Sequence, residues 1–243
     1  VLLKILSFSV NESIWGLLIV LFIAMVVVSQ FMLTFGSDPN AKVTKKSKSP
    51  LSFHPIALIF GLLSFVSYLV EGAVGDWSAL YLFEDKGIVI EEAVMGVMLF
   101  NGTMCIGRLL GNRLGKHLTS KQVVVGGYLL GSIAMGLIVF LPGHASMYTY
   151  LLLGISLAMI VPNLFSAMGE QNVIPMTQAV ATSTMLGYMG ILMGPALIGF
   201  IAHGTSLTVA FIVLTTLLVV SAGIGKYAYH LMSKDCGLSE EQI

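Results

Sequence analysis

Seven runs of apolar residues, each about as long as a bilayer is thick, govern what this chain can become. They lie at about 14–33, 55–83, 92–110, 122–141, 147–168, 178–202 and 207–230. An α-helix rises ~1.5 Å per residue, so about 20 such residues cross a hydrocarbon core of ~30 Å. Hydrocarbon offers backbone amides and carbonyls no partner, so each run has to close its hydrogen bonds on itself as a helix. Charge agrees: 56% of the 243 residues are hydrophobic and 10% are charged, against about 25% charged in a soluble domain. The expected fold class is an all-α polytopic membrane helix bundle.

The residues between the runs supply an orientation. Lys42, Lys45, Lys46 and Lys48 follow the first run, Arg108, Arg113, Lys116 and Lys121 cluster around the end of the third, and Lys226 and Lys234 close the seventh. The alternate loops hold Glu84, Asp85, Glu91 and Glu92 with one cation, Lys86. Cations accumulate on the cytoplasmic side, so the linker, the third-to-fourth loop and the C-terminus are expected there. The loop 169–177 carries no cation and does not contribute. The expected organisation is a helix at 1–33, a cytoplasmic linker at 34–53, a six-helix bundle at 54–232 and a cytoplasmic tail at 233–243. The chain opens on Val1 with no signal-peptide pattern, and reads as a fragment of a longer protein.

Several functions are disfavoured. The dispersed cations leave no footprint for nucleic acid. Two cysteines, Cys105 and Cys236, are too few for a disulfide framework. His54, His117, His144, His203 and His230 lie at span ends or in loops, and the 14 methionines are spread over most spans, so no metal site and no cofactor is expected. Neither a phosphate-cradling loop, a nucleophile elbow nor a zinc pattern occurs, so an enzyme is not expected.

Chemistry concentrates in the second run. Ser64, Ser67, Tyr68, Glu71, Gly75 and Ser78 fall at helical spacing on one side of it, forming a polar stripe. An ionisable group at bilayer depth costs at least ~2.5 kcal/mol, so the stripe has to face the bundle interior or a wetted cavity. Glu71 is the candidate proton-coupling or substrate-ligating group, because desolvation disfavours its charged form; a purely structural hydrogen bond to Tyr68 or another helix is the alternative. Asp76 and Trp77 lie nearer the interface, where Trp is enriched, and Asp76 reads as a mouth-of-cavity acid or a substrate contact. Asn101 and Asn163 are intramembrane amides that need partners on a ligand or on another helix. Asn163 is favoured for the ligand because Pro162 beside it interrupts the fifth run. Tyr188 is a candidate gate or stacking surface, with ordinary packing the alternative. Gly127-x-x-x-Gly131, and Gly187, Gly190 and Gly194, are expected to let helices approach closely.

Six spans after a basic linker, with one span before it, resemble the second half of a major facilitator superfamily (MFS) transporter. Asn112-Arg113-Leu114-Gly115-Lys116 resembles that family's Asp-Arg-x-Gly-[Arg/Lys] loop motif, with Asn112 in place of the Asp. Gly194-Pro195 resembles the Gly-Pro ending of its eleventh helix. Glu71-Gly72-Ala73-Val74-Gly75-Asp76-Trp77-Ser78 resembles the seventh helix of bacterial fucose-permease-like proteins. The resemblance implies an MFS-type half built of 3+3 inverted repeats plus one preceding transmembrane helix, in a cell inner membrane. It implies that runs two and five are equivalent cavity-lining helices and that Arg108, Asn112 and Arg113 belong to a cytoplasmic gating loop; independently, Gly75 in run two and Pro162-Asn163 in run five read as interruptions in corresponding helices. The expected function is secondary active transport of a small polar solute, a sugar or related metabolite, by alternating access with proton coupling, in partnership with the missing N-terminal half and the lipid bilayer. A drug-efflux transporter and a non-transporting receptor or scaffold are the alternatives; an aromatic, Met-rich lining would favour efflux.

Overall fold

The computed structural model describes residues 54–114, 118–171 and 173–236, together with scattered helical positions between 16 and 30. Contacts divide the chain into two units, Val1–Ser47 and Lys48–Ile243. In the first, the stretch Leu18–Val27 is an apolar helix shorter than a span; most of the rest of the expected first span, and the linker, lie outside the described residues.

Among the described residues of the second unit, the regular structure is all α-helix. We number its helices α1 (Pro55–Glu84), α2 (Ile90–Leu114), α3 (Ser120–Phe140), α4 (Gly143–Tyr148), α5 (Tyr150–Ala158), α6 (Ile160–Glu170), α7 (Met176–Gly204) and α8 (Leu207–Cys236). Among the described residues, six stretches are long and apolar enough to cross a membrane: α1, Ile90–Gly111, α3, Gly143–Glu170, α7 and Leu207–Lys234. They match the second to seventh expected runs. Short connections make consecutive crossings antiparallel, so one end of the bundle gathers Pro55, Ser120 and Glu170 and the other Glu84, Ile90 and Phe140. We call these the basic and acidic ends.

Local sequence sets the boundaries. Pro55 occupies the first turn of α1, where its missing amide costs nothing, and His54 accepts the Ile56 amide on Nδ1 at 3.3 Å. Thr119 and Gln122 form a reciprocal capping box at the start of α3. The fifth run is one path across the membrane in three helices, broken at Thr149 and at Met159, which has φ −102° and ψ −3°. The second break precedes Pro162 by three residues. The proline ring crowds the preceding turn and withholds a hydrogen bond from the Ala158 carbonyl, so the helix opens before the proline rather than at it.

α1 is the central helix, and its most extensive partner is α7. A Cβ on Gly187 would sit 2.7 Å from the Tyr68 ring, and on Gly190 or Gly194 it would strike the carbonyls of Phe65 and Leu69. The seam is reciprocal at Gly72, where a Cβ would lie 2.8 Å from the Ile191 carbonyl. That carbonyl is the one Pro195 leaves without a ladder donor. Trp77 completes the seam, donating Nε1–H to the Pro195 carbonyl at 2.9 Å. Gly127 likewise brings α3 onto the Ser156 carbonyl, 2.8 Å from a built Cβ. The small-residue stripes therefore act as expected.

Two expectations are corrected. α1 runs unbroken for 30 residues, so only one of the two helices expected to be interrupted is interrupted: Gly75 sits in an intact ladder. The polar stripe of α1 is not a single surface either. Ser64, Ser67 and Ser78 are buried, whereas Tyr68 and Glu71 are half-buried and Gly75 is exposed. At about 100° per residue, Ser67 and Ser78 lie on one flank and Tyr68 and Gly75 on the other, with Glu71 between. The stripe straddles the edge where α1 passes from packed interior to open face.

Candidate functional site

The open flank holds an ion pair. Glu71 lies sixteen residues after Pro55 and thirteen before Glu84, near the middle of α1, and its Oε2 accepts from Arg108 Nη2 at 3.1 Å. The glutamate side chain is 23% exposed and the arginine 43%. Glu71 therefore has a partner on another helix, as the structural alternative allowed, and that partner is Arg108, which was expected in the gating loop. Helical side chains lean toward the N-terminus of their own helix, and that end of α2 is the acidic one. Arg108 therefore leans into the depth of the membrane, toward Glu71, rather than out to the basic surface. The side chains of Asn112 and Arg113 lie outside the described residues.

Around the pair, Tyr68 and Tyr188 face each other as near-parallel rings, 6° apart in plane with centroids 6.2 Å apart. Tyr188 is 61% exposed. Tyr68 and Arg108, with Val161, Pro162 and Phe165 of α6, line a cavity of about 360 Å³. Four crossings thus converge: α1 supplies the acid and one ring, α2 the cation, α7 the second ring, and the opened fifth path an apolar wall. A charge pair beside aromatic faces can orient a small solute by hydrogen bonds to the carboxylate and guanidinium while a flat or apolar part rests on the rings.

The other predicted residues separate from this group or hold structure. Ser67 is buried and bonds the Tyr128 hydroxyl at 2.8 Å; Tyr128 in turn donates to the Leu63 carbonyl at 2.7 Å, so the Ser67 hydroxyl is the donor of that bond. It ties α1 to α3. Asn163, expected to face a ligand, is half-buried and braces the helix break instead: Nδ2 donates to the Met159 carbonyl at 2.8 Å, and its carbonyl and Oδ1 share the Ser120 hydroxyl at 3.2 and 3.3 Å. Tyr229 donates to Ser120 at 3.3 Å, drawing α8 into the same knot. Asn101 is exposed, seven residues before Arg108 on the same side of α2, and its amide bonds the Val97 carbonyl at 3.0 Å. Asp76 is exposed but lies about 140° around α1 from Glu71, away from the pair. Trp77, read as an interfacial anchor, is a tie between helices.

Arg108, Val161, Pro162 and Phe165 were not read as cavity residues from sequence. The available signal for Arg108 was its lean: an arginine in the last turn of an apolar run has to point back along that run. No cluster of His, Cys, Asp and Glu suited to a metal occurs among the described residues.

No protein-family model matches the chain. It is 41% identical over 168 residues to an uncharacterized MFS-type transporter of Yersinia pestis, covering 68% of this chain and 43% of that protein. It is 30% identical over 170 residues to membrane protein MosC of Rhizobium meliloti, covering 69% and 42%. Among solved structures it is similar to the E. coli fucose:proton symporter FucP, with a TM-score of 0.63 and 16% identity over 71% of this chain and 42% of that one; this likeness speaks for the fold. The chain therefore spans less than half the length of the relatives it matches.

Proposed function

We propose that this chain, which belongs to the major facilitator superfamily and is multi-pass in the membrane, is the C-terminal half of a secondary transporter that moves a small polar solute by alternating access. The observation that carries the reading is the Glu71–Arg108 pair, held at mid-helix on an open, cavity-lining face. Facing hydrocarbon, a charge pair at that depth would be costly. A water-filled path shared with the rest of the protein avoids that cost.

In this reading Glu71 and Arg108 orient the solute, Tyr68 and Tyr188 supply its flat contact, and Asn101 lies further along the same wall. Protonation of Glu71 releases Arg108, which couples proton entry to a change of partner at the site. Sugars and related metabolites suit such a centre because hydroxyl groups match both a carboxylate and a guanidinium. The basic end faces the cytoplasm of an inner membrane, with Asp76 near the opposite mouth and Asn112 and Arg113 at the cytoplasmic gate. The comparison proteins carry transporter or membrane-protein names, which supports transport over catalysis.

A second reading, efflux of amphipathic compounds, draws on the lining itself: beside Arg108, the residues lining the cavity are Tyr68, Val161, Pro162 and Phe165, an aromatic and apolar set. The test is transport by the full-length protein in vesicles under an imposed pH gradient. Glu71→Gln should abolish gradient-driven accumulation while leaving exchange down a solute gradient. Undiminished accumulation by that variant would remove the coupling role; outward movement of amphipathic compounds would select efflux.

A further inference from the structure

Away from the central face, a groove of about 670 Å³ opens between α3 and α8 at the basic end, lined by Thr119, Lys121, Gln122, Val125, Gly126, Leu129 and Lys226. We propose that it seats an anionic phospholipid, the headgroup phosphate between Lys121 and Lys226 and one acyl chain along Val125, Gly126 and Leu129.

Depth is the first argument. Lys121 is the second residue of α3, a helix of 21 residues whose ~30 Å length matches the hydrocarbon core. Lys226 stands nineteen residues into α8, ~28 Å along it, so both ammonium groups reach the same interfacial level. Charge is the second. Both charged lining residues are cations, and a basic recess between transmembrane helices at this level suits a lipid phosphate. The lysines supply the charge, while the capping box uses the Thr119 and Gln122 amides at the start of α3. Shape is the third: below the lysines the groove turns apolar, and its floor at Gly126 is open, with nothing within 4 Å of a built Cβ. A free phosphate has no use for that lower half; a diacyl lipid fills both halves.

The test is lipid retention by the purified full-length protein, read by native mass spectrometry, with phosphatidylglycerol and phosphatidylcholine as probes and glycerol phosphate as a soluble competitor. Wild type should retain phosphatidylglycerol over phosphatidylcholine. Lys121→Gln with Lys226→Gln should weaken that retention about thirtyfold, ~fivefold per lysine. Gly126→Phe, which keeps both charges and fills the floor, should also weaken it, and both variants should unfold at the wild-type temperature in phosphatidylcholine. Equal retention of the two lipids, wild-type retention by the double variant or by Gly126→Phe, or competition by glycerol phosphate as effective as by the lipid would each overturn the proposal.

Discussion

Glu71 and Arg108 are each half in contact with solvent space, and that sets the energetics of their pair. A fully buried pair loses 3–5 kcal/mol when one partner is removed, whereas exposed pairs contribute about 0.2–1 kcal/mol. With side-chain exposures of 23% and 43%, the coupling belongs near the upper end of the exposed range, about 1 kcal/mol. A thermal double-mutant cycle in detergent with Glu71→Gln and Arg108→Gln should return that coupling, the double variant being more stable than the sum of the singles predicts; strict additivity would show that the two do not interact. Tyr128 offers a contrast. Its hydroxyl sits between Leu63 and Ser67 in the closed interior, so Tyr128→Phe should cost about 1 kcal/mol in the same assay, within the range of interhelical hydrogen bonds in membrane proteins, and leave transport intact. Sequence showed that Glu71 needed a partner. It did not show which one, because the lean of a helical side chain matters only once the directions of neighbouring helices are known. Ser67 and Asn163 were legible as intramembrane polar groups, but a hydroxyl that meets a tyrosine and one that meets a solute look alike in a sequence.

Among the helices, the α1–α7 seam has a sharp mutational signature. Gly190→Ala places a methyl group against the Phe65 carbonyl, which is backbone and cannot rotate away, so the helices must separate; a loss of about 1–3 kcal/mol is expected. Gly75→Ala on the open face meets nothing within 4 Å and should be neutral or stabilising by up to ~1 kcal/mol, the ordinary helix preference for alanine. Thermal unfolding of the two variants side by side checks both, and equal effects would contradict the seam. The second to seventh spans, their approximate boundaries and the glycine stripes were readable in advance because they follow from length and spacing alone. The break in the fifth path was readable from Pro162, though displaced to Met159 by the geometry of the ring. The supposed break in α1 was not real: a lone glycine weakens a helix without opening it.

Across the whole unit of six crossings, the two ends are closed by different chemistry. At the basic end Tyr229, Ser120 and Asn163 join α8, α3 and α6. At the acidic end Lys86 donates to the Val139 carbonyl at 2.6 Å and lies 5.3 Å from the centre of the Tyr81 ring, Thr208 donates to Asp85 at 3.1 Å, and His144 meets Glu92 at 2.8 Å. Burial lowers the Lys86 pKa below the ordinary lysine range, partly offset by Asp85. In the folded state its protonation is therefore disfavoured. Folding bears this penalty at pH values below the lowered folded pKa and loses it as pH rises through that value toward the unfolded one. Stability of the wild type should accordingly climb modestly from neutral to alkaline pH, and Lys86→Met should remove that climb; a parallel pH profile for the two proteins would refute it.

The crossing formed by Gly190, Gly194 and Gly72 leaves two backbones in contact with no side chain between them to slide or repack. Such a junction resists shear, so in the alternating-access cycle proposed above α1 and α7 should swing as one lever. Slack must then be taken up elsewhere, and the doubly kinked path from Gly143 to Glu170 is the natural place for it. A covalent staple joining α1 to α7 should leave turnover untouched, while one that stiffens the bend at Met159 should stall it.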